Sequence, residues 1–332
     1  MEEQLWIACY QGYVRAVQEL LSDEKVDINK ANIDGETPFC VACYKGHIGI
    51  VKLLLNDQRI DVNKPVPKGM TPLNIACLGK QYEIVKLLLN DQRVDVNKAD
   101  NDGRTPFWIA CGRCIEIVRL LLNDKRVDIN KADHYSQTPF WIACSNGKIE
   151  IMKLLLNDSR VDVNKANKYE ATPFYIVCYC GCIDIAKLLV NDSRVDVTKP
   201  NEYGQTPFWI SCYYGEIEIV KYVLACRREV DINDGKTSLD IAREENEDWE
   251  YENKKSNCLK IVELIESFET NQNETRIKLR IELGFAGQFI YLFFQLLFFS
   301  IFLLLIFVDT DAASLYAIIV LLSDQFLDFR HN

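Results

Sequence analysis

The sequence predicts an all-α repeat solenoid followed by one membrane-spanning helix near the C-terminus. Three observations carry that prediction. Thr-Pro-Phe stands at residues 37–39 and returns at Thr105, Thr138, Thr172 and Thr206, with Thr71-Pro72-Leu73 and Thr237-Ser238-Leu239 as close variants. The successive spacings are 34, 34, 33, 34, 34 and 31 residues, the mark of one supersecondary unit stacked in a row, each copy burying its apolar face on its neighbours. Each recurrence opens a two-helix pattern, and far outside the period Phe285 to Val308 runs for 24 residues without a charge.

The unit from Thr71 to Arg104 shows why each element forms. Thr71 is a natural N-cap, with Pro72 at the first helical position, where a missing N–H costs nothing. Leu73, Ile75, Ala76 and Cys77 give a short apolar helix, and the break near Gly79 turns the chain. Ile84, Val85, Leu87, Leu88 and Leu89 then fall at helical spacing, and Asn90-Asp91 ends that second helix. Val94-Asp95-Val96-Asn97 reads as extended, and Asp102-Gly103 turns the chain towards the next Thr-Pro.

This unit resembles the ankyrin repeat. The carriers are Asp100-x-x-Gly103-x-Thr105-Pro106-Phe107-x-x-Ala110-Cys111, then Ile117-Val118-x-Leu120-Leu121-Leu122. The arm matches at Val62-Asn63, Val96-Asn97 and Val163-Asn164, with Ile-Asn at 28–29, 129–130 and 232–233. The resemblance implies helix–turn–helix units joined by β-hairpin arms, over about residues 4–266. Eight units follow, near 1–36, 37–70, 71–104, 105–137, 138–171, 172–205, 206–236 and 237–267, with atypical end units because one face of each must meet water. Residues 268–283 read as a polar linker.

Several units depart from the family pattern. Where the family has His after Thr-Pro-Leu, this chain has Cys40, Asn74, Trp108, Trp141, Tyr175 and Trp209. The turn Gly becomes Ser136 and Glu170 in two units, so a positive φ there carries strain. The inter-helix turn after Cys111 is one residue short, the last arm is cut to Asn233-Asp234-Gly235, and the final unit carries an acidic insertion over 243–256 that reads as a solvated loop or helix extension.

Residues 284–308 read as a transmembrane helix, because the uncharged Phe285 to Val308, ~36 Å as a helix, is long enough to cross a bilayer core. Arg276, Lys278 and Arg280 precede this stretch and only Arg330 follows, which puts the repeats in the cytoplasm. Gln288 and Gln295 share a helical face, where they offer self-association through hydrogen bonds between helices. Residues 309–332 form a short tail whose apolar segment, 312–322, is too short to span. The abrupt shift in composition also fits a spurious tail on a soluble scaffold or inhibitor, and a fragment of a larger receptor or channel is a third reading.

Of the 13 cysteines, Cys9, Cys43, Cys77, Cys111, Cys144, Cys178 and Cys212 fall at one place in the repeat, where a buried thiol acts as a small hydrophobe. Cys40-x-x-Cys43, Cys111-x-x-Cys114 and the Cys178/Cys180/Cys182 cluster hint at zinc or a redox pair. The strings do not recur, however, and with 3 His the chain offers few partners for a four-ligand site. No basic apolar leader precedes the repeats, so the thiols are expected free in a reducing compartment. The net charge of −10, with no clustered Lys and Arg, argues against nucleic acid. No GxxxxGK[ST], GxSxG or HExxH motif occurs, so neither catalysis nor a cofactor is expected.

Protein binding is what remains, since repeat arrays line a groove with their arm tips and first helices. The residue before the turn Gly position is Asp34, Lys68, Asp102, Tyr135, Tyr169 and Tyr203 in turn. Tyr179, Tyr213 and Tyr214 lie near the ends of first helices, and Trp108, Trp141 and Trp209 lie on those helices. Tyr and Trp dominate interface hot spots, so units five to seven are the expected docking face, with repeat packing the competing reading for the Trp residues. By resemblance alone, the arm residues Asn63, Asn97, Asn130 and Asn164 are candidates for asparaginyl hydroxylation, although their default role is that of polar turn residues.

Overall fold

A computed structural model of the chain describes residues 1–226, 230–245 and 252–285. Residues 1–272 form one compact unit and residues 273–332 a second. Among its described residues, the first contains sixteen helices in eight consecutive pairs. They are α1 (Glu2–Gln11) with α2 (Val14–Leu21), α3 (Pro38–Lys45) with α4 (Ile48–Asn56), α5 (Pro72–Leu78) with α6 (Tyr82–Asn90), and α7 (Pro106–Cys111) with α8 (Ile115–Asn123). Next come α9 (Pro139–Ser145) with α10 (Ile149–Leu156), α11 (Pro173–Tyr179) with α12 (Ile183–Asn191), α13 (Pro207–Tyr214) with α14 (Ile217–Ala225), and α15 (Ile232–Glu245) with α16 (Glu252–Thr270). First helices pack on first helices and second on second, as an all-α repeat solenoid requires.

The caps stand where the Thr-Pro period places them. Thr37, Thr71, Thr105, Thr138, Thr172 and Thr206 each accept a hydrogen bond from the backbone N–H three residues on, with Pro at the helix start. Phe39, Phe107, Phe140 and Phe174 are at most 1 % exposed, and the seven periodic cysteines are equally buried. Burial pushes the thiols of Cys9, Cys40 and Cys178 up to about 12, so they pack as protonated hydrophobes. None of the thirteen cysteines is in a disulfide.

The expected β-hairpins are absent: among the described residues the arms are turns, with no strand. Side-chain ladders hold them instead. Asn63 Nδ2 donates to the Arg93 carbonyl at 2.7 Å, and its Oδ1 accepts from the Asp95 N–H at 2.8 Å. Asn29, Asn97, Asn130 and Asn164 repeat both contacts. A second ladder runs along the second helices. Asp91 fixes Arg93, whose guanidinium donates at 2.7 Å to the Leu55 carbonyl near the end of the preceding unit's second helix. Arg59, Arg126, Arg160 and Arg194 do the same to Leu21, Leu89, Leu122 and Leu156. The guanidiniums in turn hold the carboxyls of Asp57, Asp91, Asp124 and Asp158 below the usual range.

Two further differences appear at the C-terminal end. The cut arm is already helical, because α15 starts at Ile232, ahead of Thr237. Gly235 permits this: a Cβ there would lie 2.6 Å from Phe208 Cε1 and 3.1 Å from Cys212 Sγ. The expected polar linker 268–283 is mostly helical, since α16 runs to Thr270 and α17 spans Gln272–Glu282. Its Glu, Lys and Arg are good helix formers, and Glu274 pairs with Lys278 one turn on. The insertion 243–256 meets α15 and α16 at its two ends, while its residues 246–251 lie outside the described residues. Apart from Gly284 and Phe285, so do the expected span and tail; among the described residues no helix is long and apolar enough to cross a membrane.

Ser136 and Glu170, which replace the turn Gly, hold φ of 58° and 59°. Ser136→Gly and Glu170→Gly should each raise stability by about 0.5–1 kcal/mol, whereas Gly235→Ala should cost about 1–3 kcal/mol through overpacking. Thermal melts of the three variants check both signs. A pH effect is expected at Asp133, whose Oδ1 accepts from the N–H groups of Tyr135 and Gln137 to turn the arm. Burial pushes its carboxyl above the usual range, so the charged form is the one the fold disfavours. That cost is complete above the folded pKa and vanishes as pH falls through it. Asn167 and Asn201 make the same turn without charge. Asp133→Asn should therefore raise Tm at pH 7, with the gain fading in melts taken at progressively lower pH.

Candidate protein-binding surface

Five of the arm tips are built by a side chain five residues before the Thr cap. Asn32, Asp100, Asp133, Asn167 and Asn201 each accept from the backbone N–H groups two and four residues on, a tight polar turn. Successive tips are joined by single backbone bonds. His134 N–H donates to the Asp102 carbonyl at 2.9 Å, Lys168 N–H to Tyr135 at 2.8 Å, and Glu202 N–H to Tyr169 at 3.0 Å. These bonds hold the tip tyrosines in register.

Tyr135, Tyr169 and Tyr203 are 49 %, 45 % and 74 % exposed. The Lys168 ammonium lies over both Tyr135 and Tyr169, 4.2 and 4.8 Å from the ring centroids, and ties the two tips together. Tyr203 stands beside the Glu202 carboxylate, which pushes its hydroxyl pKa up. A second aromatic group covers the first helices of units six and seven. Trp209 stacks on Tyr213 at 5.1 Å, and Tyr214 meets Tyr213 and Tyr179 edge-on at 5.2 and 5.0 Å. Tyr179 is exposed, and Tyr213 and Tyr214 are half-buried.

The tryptophans are placed differently from the tip tyrosines. Trp141 and Trp209 are buried and Trp108 half-buried, so the first two present little surface to a partner. Trp108 Nε1 donates to the Gln137 carbonyl and Trp141 Nε1 to the Ala171 carbonyl, both at 3.0 Å. Asn74 Nδ2 reaches the Arg104 carbonyl, and the Tyr175 hydroxyl reaches the Gln205 side chain. Each of these contacts falls on the residue just before the next unit's Thr cap. The position that holds His in the family thus clasps the following unit here with other donors. At Asn63, Asn97, Asn130 and Asn164, both polar side-chain atoms are engaged between units.

Two adjoining depressions also lie between arms and first helices, further towards the N-terminus than the tyrosines. One of about 320 Å³ lies between units two and three, with Val41, Tyr44, Val66, Pro67 and Ile75 in its walls. The other, about 600 Å³, reaches from Lys68 and Arg104 on the arms to Arg113 and Lys148 at the inter-helix turns. Sequence reading passed over Arg113 and Lys148. The available signal was the short turn after Cys111, which leaves α7 with 6 residues where α5 and α9 have 7. Among the described residues, no three His, Cys, Asp or Glu side chains come together as metal ligands.

No curated protein matches the chain. It is similar in fold to the crystal structure of the ankyrin repeat domain of Bcl-3, described as a unique member of the IkappaB protein family. The identity is 23 % and the TM-score 0.57, over 62 % of this chain and 92 % of that one, a likeness of fold alone. A family model of ankyrin repeats in three copies matches residues 5–100, 60–133, 92–167 and 125–201, together more than half of the 332 residues. With its capped helix pairs and turned arms in the same period, the chain belongs to the ankyrin repeat family.

Proposed function

We propose that the chain is a non-catalytic scaffold that captures partner proteins on the face formed by its arm tips and first helices. The observation that carries this reading is the exposure of Tyr135, Tyr169 and Tyr203 on tips locked in register by backbone bonds. Large aromatic side chains held this way offer contact area at low entropic cost. The cluster of Tyr179, Tyr213, Tyr214 and Trp209 extends that surface over units six and seven. The Asn ladder keeps the surface rigid. Asparaginyl hydroxylation, which family resemblance suggests for Asn63, Asn97, Asn130 and Asn164, would modify residues whose amide atoms both bridge units.

Membrane tethering is part of the same proposal: residues 284–308 anchor the scaffold, with the repeats on the cytoplasmic side. Its support is the uncharged run and the Arg276, Lys278 and Arg280 that precede it. Self-association through Gln288 and Gln295 belongs with this anchor. A soluble scaffold has the same repeat surface and differs only in this respect.

Replacing Tyr135, Tyr169 and Tyr203 together by Ser should cut photo-crosslinked capture of partner proteins at least tenfold, because truncated aromatic anchors typically cost ~2 kcal/mol or more. The melting temperature should barely move, since all three side chains are exposed. Capture equal to that of the unaltered chain would refute the tyrosine surface. For the anchor, alkaline carbonate should leave the chain in the membrane pellet; release into the supernatant would establish the soluble form.

A further inference from the structure

The two depressions on units two to five adjoin, because Lys68, Met70 and Leu78 line both. Its two halves differ in chemistry, and in each half the repeat pattern is broken. In unit three, Val66 stands where the other arms have Asn32, Asp100, Asp133, Asn167 and Asn201. The arm still turns, through Gly69 N–H to the Val66 carbonyl at 2.8 Å and Val66 N–H to the Met70 carbonyl at 3.0 Å. The side-chain bonds of the other arms are given up, and Val66, Pro67 and Met70 line this half together with Val41, Tyr44 and Ile75, with the exposed Asp34 and Glu36 also in its lining. A local rule broken with no gain to the fold marks a site under another demand.

In unit four, the missing residue brings Gly112 and Arg113 to the edge of the groove beside Trp108. Trp108 is half-buried, whereas its counterparts Trp141 and Trp209 are buried. Asp100 also lines this half, but its carboxylate is 1 % exposed and taken up by Arg104 Nε at 2.9 Å; Arg104 pairs with Asp102 as well. Lys68, Arg113 and Lys148 are exposed and make no ion pair among the described residues. On a chain of net charge −10, three uncompensated cations around the second depression form a local reversal of sign, in contrast to the first, where Asp34 and Glu36 join Lys68 in the lining. Such a patch selects an anionic partner, by steering its approach and by penalising the wrong charge.

We propose that this groove takes an extended segment of a partner protein in which an apolar stretch adjoins a run of Asp and Glu. The apolar residues sit between units two and three, and the carboxylates face Lys68, Arg113 and Lys148. This proposal rests on reading the repeats as a protein-binding surface, and it names the partner's chemistry at a place separate from the tip tyrosines.

The test is selection of a displayed random dodecapeptide library on the full-length chain. Peptides recovered should carry apolar residues next to Asp or Glu. One such peptide, made synthetically, should bind Arg113→Glu/Lys148→Glu about tenfold more weakly and should bind the original chain more weakly as salt is raised. Both side chains are exposed, so an unchanged melting curve for the double variant shows that the fold is kept. Recovered peptides without acidic residues, or acidic peptides that bind the double variant as well as the original, overturn the groove proposal and leave the protein-binding reading standing. A library that yields no binding peptide overturns the groove proposal as well, while partner capture that depends on the tip tyrosines would preserve the general reading.

Discussion

Asn97 donates its amide to the Arg126 carbonyl at 2.7 Å and accepts from the Asp128 N–H at 2.8 Å, thereby joining two neighbouring units. Arg126 is itself fixed by Asp124 and reaches back with its guanidinium to the Leu89 carbonyl of the preceding unit, also at 2.7 Å. The two contacts close a circuit between adjacent units, with one clasp at the arm and the other at the end of the second helix. A stack of repeats has no central core, so each unit is stable only while its neighbour stays at the right height. A slip between neighbours would uncover Phe107 and Phe140, which are at most 1 % exposed, and would break the bridging bonds of the arms.

The repeat itself was open to reading because its signals are local. Thr-Pro sets a cap and a helix start within three residues, and a cysteine at a constant offset reports a packed position. The strain at Ser136 and Glu170 was equally visible, since the family's Gly at that place implies a positive φ. The Asp-x-Arg clamp recurs with the same period, yet it carries no meaning without geometry. Its partner carbonyl lies 37 or 38 residues back in the chain and is supplied by a leucine, whose side chain tells nothing about it. The arms look like strands because Val-Asp-Val-Asn alternates, but their bonding runs through the Asn side chains and the backbone stays in turns.

The tryptophans show how one residue type divides between packing and surface. All three follow Thr-Pro-Phe, so sequence alone gives them the same standing. Trp141 is buried and clasps Ala171, and Trp209 is buried against Tyr213. Trp108 keeps its clasp on Gln137 but lies beside the shortened turn, which leaves part of its ring uncovered. The polar linker is a related case: its charged composition gives no sign of structure by itself, while Thr275 and Leu279, both buried, lie at helical spacing within a run of strong helix formers.

Rigidity between units and irregularity within them serve binding together. Because the ladders fix each unit against the next, the tips and first helices present side chains whose ordering cost has already been met in folding. Against that regular frame, a change at one position of one unit alters the surface without disturbing the stack. Val66 removes a polar turn and adds an apolar wall, while the closing backbone bonds of the arm survive. The short turn at Gly112 shifts the N-cap of α8, where Cys114 takes φ of −149° against −85° at Gln81 and Lys148, and the helix that follows keeps its length and buried face. Tyr135 and Tyr169 hang from turns whose Asx bonds and inter-tip bonds are the same as those of less aromatic arms. Specificity can therefore change unit by unit while the Asn and Arg clamps stay constant, and the residues that break the repeat are the ones to examine for recognition.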